Sequence, residues 1–269
     1  MTTKLVICDI DATLVNEKKE LTPRTKKNLI QLHEKGIYFV IASGRPADEL
    51  KRNKEYWDLP FDFDFVVGMN GAELWDGVHQ KFYNYFMMKK EWLKETMEIM
   101  KVVKCNPMIY WDGKIRCVHI DDWMIHSAST SHKELEVVKL EDFYAHENAK
   151  IMFRMKEEDM PKAETWVKEH PNPYYHGFKT QSTLLEFCDK RINKGYGLKK
   201  ICELNDLDIK DVMAFGDTSN DNDMLKVAGC GVCMINGTDD TKACANAITK
   251  QDNDHDGLAI YLEESGILC

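Results

Sequence analysis

Leu5-Val6-Ile7-Cys8-Asp9-Ile10-Asp11-Ala12-Thr13-Leu14 is the stretch whose reading decides the fold. Four apolar residues stop at an acidic turn, which reads as a short strand followed by a loop. Ligands of open α/β sheets bind beyond the carboxyl ends of the strands. Alternate residues leaving a strand can bring two carboxylates, here Asp9 and Asp11, to one site. Two anions there repel unless a cation or a proton intervenes. An acidic turn with no chemistry would look the same locally.

Working outward, Thr22-Pro23 caps a helix with proline at its first position, running to His33 on Leu29, Ile30 and Leu32. Gly36 ends it, and residues 37–42 read as a second buried strand. A helix follows Pro46, and residues 63–67 form a third strand. Strand, helix, strand with short connections is the pattern of a parallel sheet covered on both faces. The last third resumes it, with helices at 194–204 and 221–227, strands at 212–215 and 231–234, and a final helix. Between 85 and 188 the texture changes. This stretch holds most of the tryptophans, a long amphipathic helix over 92–103, and a hairpin pairing 108–111 with 115–120 around Asp112-Gly113. The expectation is an α/β protein: a doubly wound, parallel-sheet core (1–84 and 189–269) with an inserted α+β domain (85–188).

Composition bounds the function. The 269 residues are 43% hydrophobic and 30% charged, enough for a core in each of two unequal domains. A net charge of −9 with no basic run argues against nucleic acid and acidic membrane surfaces. No window has the apolar length of a membrane span, and the apolar N-terminal run is too short for a signal sequence. Nine cysteines without framework spacing suit reduced thiols in the cytoplasm. An acidic protein that handles an anionic substrate needs a local positive site, supplied by a metal ion or a placed lysine.

Three further segments fall at strand ends or helix starts. Ala42-Ser43-Gly44-Arg45-Pro46 offers a hydroxyl, a glycine and a helix N-terminus, a good phosphate cradle. It is equally a Ser-Gly turn into a proline-started helix. Asn193-Lys194-Gly195 places a lysine at a helix start, where most lysines are merely solvated. Gly216-Asp217-Thr218-Ser219-Asn220-Asp221-Asn222-Asp223-Met224 loads a helix start with oxygen ligands suited to Mg²⁺, and is also an ordinary acidic cap.

In this order the four segments resemble the haloacid dehalogenase-like (HAD) hydrolase superfamily, and within it the large-cap, Cof-like class IIB branch of sugar-phosphate and cofactor phosphatases. The resemblance spans essentially the whole chain and includes Asn70-Gly71-Ala72 before the inserted cap. It implies a Rossmann-like core and a Mg²⁺-dependent phosphatase of small phosphorylated metabolites. Asp9 would be the nucleophile, forming an aspartyl-phosphate, and Asp11 the general acid and base. Mg²⁺ would lie between the Asp9 carboxylate, the Asp11 carbonyl and Asp217. Ser43 and Lys194 would hold phosphate oxygens, joined by Thr13, Gly44, Arg45 and Asn220, and Asp221 would orient Lys194. The resemblance implies a monomer or small homo-oligomer whose cap closes over a small-molecule substrate. The same core would also serve a phosphotransferase or mutase, and a non-catalytic binding protein on this fold is the other alternative. The sequence departs from the family at Ala12, where Gly is usual. Alanine does not adopt positive φ cheaply, though little effect on activity is expected.

Two patterns are set aside. Asp252-Asn253-Asp254-His255-Asp256-Gly257 with Glu263 satisfies the calcium-loop pattern, but a short strand, not a helix, precedes it. Cys230-Gly231-Val232-Cys233 has redox spacing, yet lies along a strand that sends its thiols to opposite faces. His119, His126 and His132 show no ligand spacing, and the aromatics of the insert read as its core.

Overall fold

The computed structural model describes residues 3–268, which divide into two compact units. One runs to Tyr83 and resumes at Asn193; the other is Asn84–Ile192, against the 85–188 expected from the sequence. The opening segment carries strands β1 (Leu5–Asp9), β2 (Tyr38–Ala42), β3 (Phe65–Gly68), β4 (Glu73–Asp76) and β5 (Lys81–Asn84). Helices α1 (Pro23–Glu34), α2 (Ala47–Leu50) and α3 (Asn53–Tyr56) lie between them. The inserted unit holds α4 (Lys90–Ile99), β6 (Cys105–Trp111), β7 (Lys114–Cys117), α5 (Asp122–Ser131) and β8 (Leu135–Val137). It continues with β9 (Lys150–Met155), α6 (Met160–Glu169), β10 (Tyr175–Gln181) and β11 (Leu184–Asp189). The chain closes with α7 (Lys194–Leu204), β12 (Val212–Gly216), α8 (Asn222–Val227), β13 (Cys230–Cys233), α9 (Asp239–Cys244), β14 (Ala247–Ile248) and α10 (Gly257–Glu264).

The core sheet is ordered β14-β13-β12-β1-β2-β3-β4-β5. β1 is parallel to β12 on one side and to β2 on the other, with Cys8 level with Phe215 and Asp9 level with Ala42. The chain leaves β1 toward β2 and β3 and returns on the opposite side for β12 to β14. The order therefore reverses between β1 and β12, which opens a crevice beyond their carboxyl ends. Every residue of β1 is buried, as a strand with helices on both faces requires. Val6 and Cys8 share a core cluster with Leu29 and Leu32 of α1 and with Leu258 and Leu262 of α10. On the other face Gly197 of α7 lies directly on Val67, where a Cβ would come within 2.6 Å of the valine methyl. α1 starts as its sequence dictates: the Thr22 hydroxyl accepts from the Thr25 N–H, and Pro23 follows at the first position.

The inserted unit has its own six-stranded sheet, β10-β11-β9-β6-β7-β8, antiparallel except where β7 pairs with β8. Ile151, Phe153, Leu185 and Phe187 pack with Leu93 of α4 and Ala163 of α6, and Phe143 and Tyr175 complete that core. Met108, Met152 and Leu184 pack with Met124 of α5 in a second cluster. Tyr174 and Trp166 stay exposed, so the aromatics of the insert are only partly core. Among the described residues no helix is long and apolar enough to cross a membrane.

Three details differ from the sequence reading. The core sheet is not parallel throughout, because β4 runs antiparallel to β3, with Phe65 opposite Asp76. Met69, Asn70 and Gly71 turn the chain, all at positive φ (49°, 55° and 109°). Only the glycine adopts that conformation freely, so composition gave little warning of the reversal. The helix expected over 92–103 ends as α4 at Ile99, followed by a 3₁₀ turn at Met100–Val102. The second arm of the hairpin stops at Cys117, although Asp112 and Gly113 are both at positive φ, as a two-residue type I′ turn needs.

Gly71 joins this turn to the start of α7. A Cβ there would fall 2.3 Å from the Asn193 carbonyl oxygen, and its φ of 109° is closed to other residues. Gly71→Ala should therefore cost at least about 2 kcal/mol in a urea unfolding curve, whereas a change below about 0.5 kcal/mol would contradict this packing.

Candidate functional site

Strand register decides which side chains meet. β1, β2 and β12 are adjacent, and neighbouring strands lie about 4.8 Å apart. Asp9 at the end of β1, Ser43 just past β2 and Asp217 just past β12 therefore leave the sheet side by side. Lys194, the first residue of α7, completes the group. That helix is capped by Asn193, whose Oδ1 accepts the Tyr196 N–H at 2.7 Å. The Lys194 side chain is fully buried, and its ammonium donates to Asp9 Oδ1 and, at 2.6 Å, to Asp221 Oδ1. The second Asp221 oxygen accepts the backbone N–H groups of Asp217 (3.0 Å) and Thr218 (3.1 Å). Gly216 makes room for this approach, since a Cβ there would lie 2.4 Å from Asp221 Cβ.

The electrostatics of the group are those of anions short of a cation. Asp9, Asp217 and Asp221 are all buried, and one ligand oxygen from each lies within 4.8 Å of the others. Three carboxylates face one ammonium, so the cluster would carry two excess negative charges if all were ionised. Burial pushes the Asp9 carboxyl well above the usual carboxylate range, against the pull of Lys194. Burial also pushes Asp217 up to about 6, against the hydrogen bond from Thr13 and with the help of the Asp221 charge. Burial opposes the Lys194 ammonium, yet Asp221 and Asp9 outweigh it and hold its pKa above the ordinary lysine value. A divalent cation would relieve this imbalance, and an all-carboxylate donor set suits a hard one. Among the described residues, this is the one group of three or more Asp, Glu, His or Cys side chains close enough to hold a metal ion.

The other candidate residues take varied places. Asp11 is not among the clustered carboxylates and pairs with Arg45 (3.1 Å) and Lys19 (2.8 Å). Although part-burial works the other way, these two cations hold its carboxyl below the usual range. Thr13, expected among the phosphate-holding residues, donates its hydroxyl to Asp217 Oδ1 at 2.8 Å. Ser43 is buried, and its Oγ accepts the Arg45 N–H at 3.3 Å. Asn220 reaches Asn70 Oδ1 at 3.5 Å, and a Cβ on Gly44 would lie 3.3 Å from the same Asn70 side chain. Sequence reasoning gave no role to Asn70, to Lys19 or to Asn236, which donates to the Ala12 carbonyl at 2.9 Å. Only the Asn70-Gly71 dipeptide carried a local signal, that of a turn.

The backbone at Ala12 is now defined. Its φ of 58° and ψ of 10° are left-handed, so alanine does occupy a position that suits glycine. The calcium pattern is spent on other bonds. Asp254 accepts the Glu17 N–H, Asp256 accepts the Thr22 hydroxyl, Asp252 caps His255, and Glu263 pairs with Arg24. Cys230 and Cys233 lie along β13, and burial pushes the Cys233 thiol up to about 11, out of its reactive range.

A sequence profile of haloacid dehalogenase-like hydrolases matches residues 6–262. The chain belongs to the haloacid dehalogenase-like hydrolase family. It is 26% identical to the 5-amino-6-(5-phospho-D-ribitylamino)uracil phosphatase YitU of Bacillus subtilis, over 97% of this chain and 96% of that protein. It is 29% identical to the phosphatase YcsE of the same organism, named for the same compound, over 95% and 93%. A haloacid dehalogenase-like hydrolase from Bacteroides thetaiotaomicron has the same fold, with a TM-score of 0.87 and 25% identity over 98% of this chain and all of that one.

Two outcomes follow for this haloacid dehalogenase-like hydrolase. Relief of the left-handed penalty, about 1–2 kcal/mol, outweighs the entropic cost of glycine, about 0.5–1, so Ala12→Gly should raise unfolding stability by up to about 1.5 kcal/mol. Without a divalent cation, the raised Asp217 carboxyl favours the folded state most in acid, and that contribution falls as pH climbs through about 6. A divalent cation held by this cluster would bind the deprotonated form, so any rise in melting temperature that it gives should grow between about pH 5 and about pH 8. A pH-independent rise would contradict this assignment.

Proposed function

We propose that the chain is a Mg²⁺-dependent phosphatase of small phosphorylated metabolites, with Asp9 as its nucleophile. The observation that carries this reading is the buried Asp9 carboxylate held by Lys194 beside Asp217 and Asp221, at the crevice between β1 and β12. The names of YitU and YcsE support the reaction class.

The residues divide the work. An Asp9 oxygen attacks phosphorus as the bond to the leaving oxygen breaks, giving an aspartyl-phosphate. Asp11 passes a proton to the leaving oxygen, then takes one from the water that attacks the phosphorus and frees Asp9 and inorganic phosphate. Asp11 is tied to Arg45 and Lys19 at rest, and a phosphate that draws Arg45 to itself would loosen that hold and let Asp11 carry the proton. Lys194 and Ser43 hold phosphate oxygens, with Gly44, Arg45 and Asn220 around them. Asp221 keeps Lys194 in place, while Thr13 orients Asp217. Asp9, Asp217 and the Asp11 carbonyl would hold Mg²⁺. When bound, Mg²⁺ shields the attacking carboxylate from the phosphate and offsets charge in the transition state.

For the substrate, we favour a phosphate monoester on a sugar or polyol chain. Phosphorylated cofactors such as pyridoxal phosphate and flavin mononucleotide come second.

The test is phosphate release from sugar phosphates, those two cofactors and 5-amino-6-(5-phospho-D-ribitylamino)uracil, with Mg²⁺ and with EDTA, beside Asp9→Asn. Release should require Mg²⁺ and fall on the order of 10³-fold or more in the variant, with the fold retained by circular dichroism. Turnover that survives Asp9→Asn would remove Asp9 as nucleophile.

A further inference from the structure

The turn over residues 234–238, Met-Ile-Asn-Gly-Thr, has neither a carboxylate nor a lysine to mark it. Yet it is bonded to both loops of the site. On one side the Thr238 N–H donates to the Asp217 carbonyl at 2.8 Å, and the Met234 N–H donates to the Gly216 carbonyl at 3.0 Å. Gly237 lies between them, so close that a Cβ would be 2.8 Å from the Asp217 oxygen and 2.6 Å from Cys233 Sγ. This half is fixed by backbone and by the sheet. On the other side a single side chain crosses to the first loop: Asn236 Nδ2 donates to the Ala12 carbonyl at 2.9 Å, across 224 positions of sequence.

The place of that bond gives it meaning. Ala12 is the left-handed residue of the Asp11–Thr13 turn, and an L-residue released from such a conformation relaxes to an extended or right-handed one. Relaxation would rotate the peptides on both sides. Thr13 would lose its alignment on Asp217, and the Asp11 carbonyl and carboxylate would swing together. Further along the loop, Asn253 Nδ2 donates to the Val15 carbonyl at 3.0 Å, but that bond lies beyond the turn.

We propose that Asn236 is a positioning residue, which holds the Ala12 carbonyl and so fixes the turn carrying Asp11 and Thr13 against the Asp217 loop. Its catalytic consequence rests on the phosphatase reading. Asn236 itself is exposed, so truncating it opens no cavity, and a loss of activity would not reflect a collapsed core.

Asn236→Ala removes the donor, and Asn236→Asp keeps the shape while facing the carbonyl with an acceptor. Asn246→Ala is the comparison, because Asn246 Oδ1 accepts the Gly231 N–H at 2.7 Å in a similar tie that touches neither loop. Both Asn236 variants should lose on the order of ten-fold or more in kcat with KM little changed. Their amides at 10–14 should exchange with solvent faster than in the wild type. Asn246→Ala should keep kcat and that protection. Wild-type kcat in Asn236→Asp, unchanged exchange at 10–14 in both Asn236 variants, or an equal loss of kcat in Asn246→Ala would overturn the proposal. A wild type inert on every phosphate ester would sink the phosphatase reading instead, and the exchange comparison would still decide whether Asn236 holds the turn.

Discussion

A lysine with no exposed surface must have its charge answered within the protein, and the site is arranged around that demand on Lys194. Asn193 fixes the start of its helix, Gly71 lets the β3–β4 turn lie against that start, and Gly216 lets Asp221 close on the ammonium from the far side. Asp221 in turn is held by two backbone N–H groups of the loop that carries Asp217. The ammonium is thus the joint between α7 and the ends of β1 and β12. Its two partners lie beside a third carboxylate, so the group must take up protons or a cation to offset its excess negative charge. The capacity to hold a cation is a result of packing as much as of chemistry.

The strands and their ends were legible in the sequence because they are marked locally, whereas the site residues stood out only together, through the family resemblance. An apolar run that halts at Asp9, a run that ends at Ser43, and Gly216-Asp217 after a third run each announce both the sheet and the place of a side chain. Capping chemistry at Thr22 and Asn193 placed two helices in the same way. What stayed hidden depends on geometry without a residue signature. Methionine gives no sign that its backbone is left-handed, so the Met69 reversal could not be read, and at Ala12 only the glycine usual in the resembled family hinted at it. The Lys19 and Arg45 pairs of Asp11 depend on how a loop folds back. The calcium-like acidic loop, set aside at the sequence level, shows the opposite case: its pattern is complete, while its oxygens bond the loop at 17–22, Arg24 and a cap.

Part of the backbone strain in the chain lies beside the crevice. Ala12, Met69 and Asn70 are non-glycine residues at positive φ, all in loops beyond the strand ends of the crevice. Such conformations persist only when their surroundings over-determine them. Here the surroundings are hydrogen bonds from distant parts of the chain: Met69 N–H to the Arg45 carbonyl, Asn70 N–H to the Ser43 carbonyl, and Asn236 to the Ala12 carbonyl. The loops are thereby made rigid by one another more than by their own sequences.

The centre of the core sheet pairs β1 with β12, and Thr13 meets Asp217 across 204 positions of chain. A ribosome delivering this protein N-terminus first would hold β1 with one edge open until the last quarter of the chain arrived. The strands of the inserted sheet all lie between Cys105 and Asp189, so that sheet can close while the core still waits. Long-range pairing of this kind is slow to form, and the clustered carboxylates cannot meet before it does. A copy that stops short of residue 194 holds Asp9 but neither Lys194 nor Asp217, and so lacks the buried cluster.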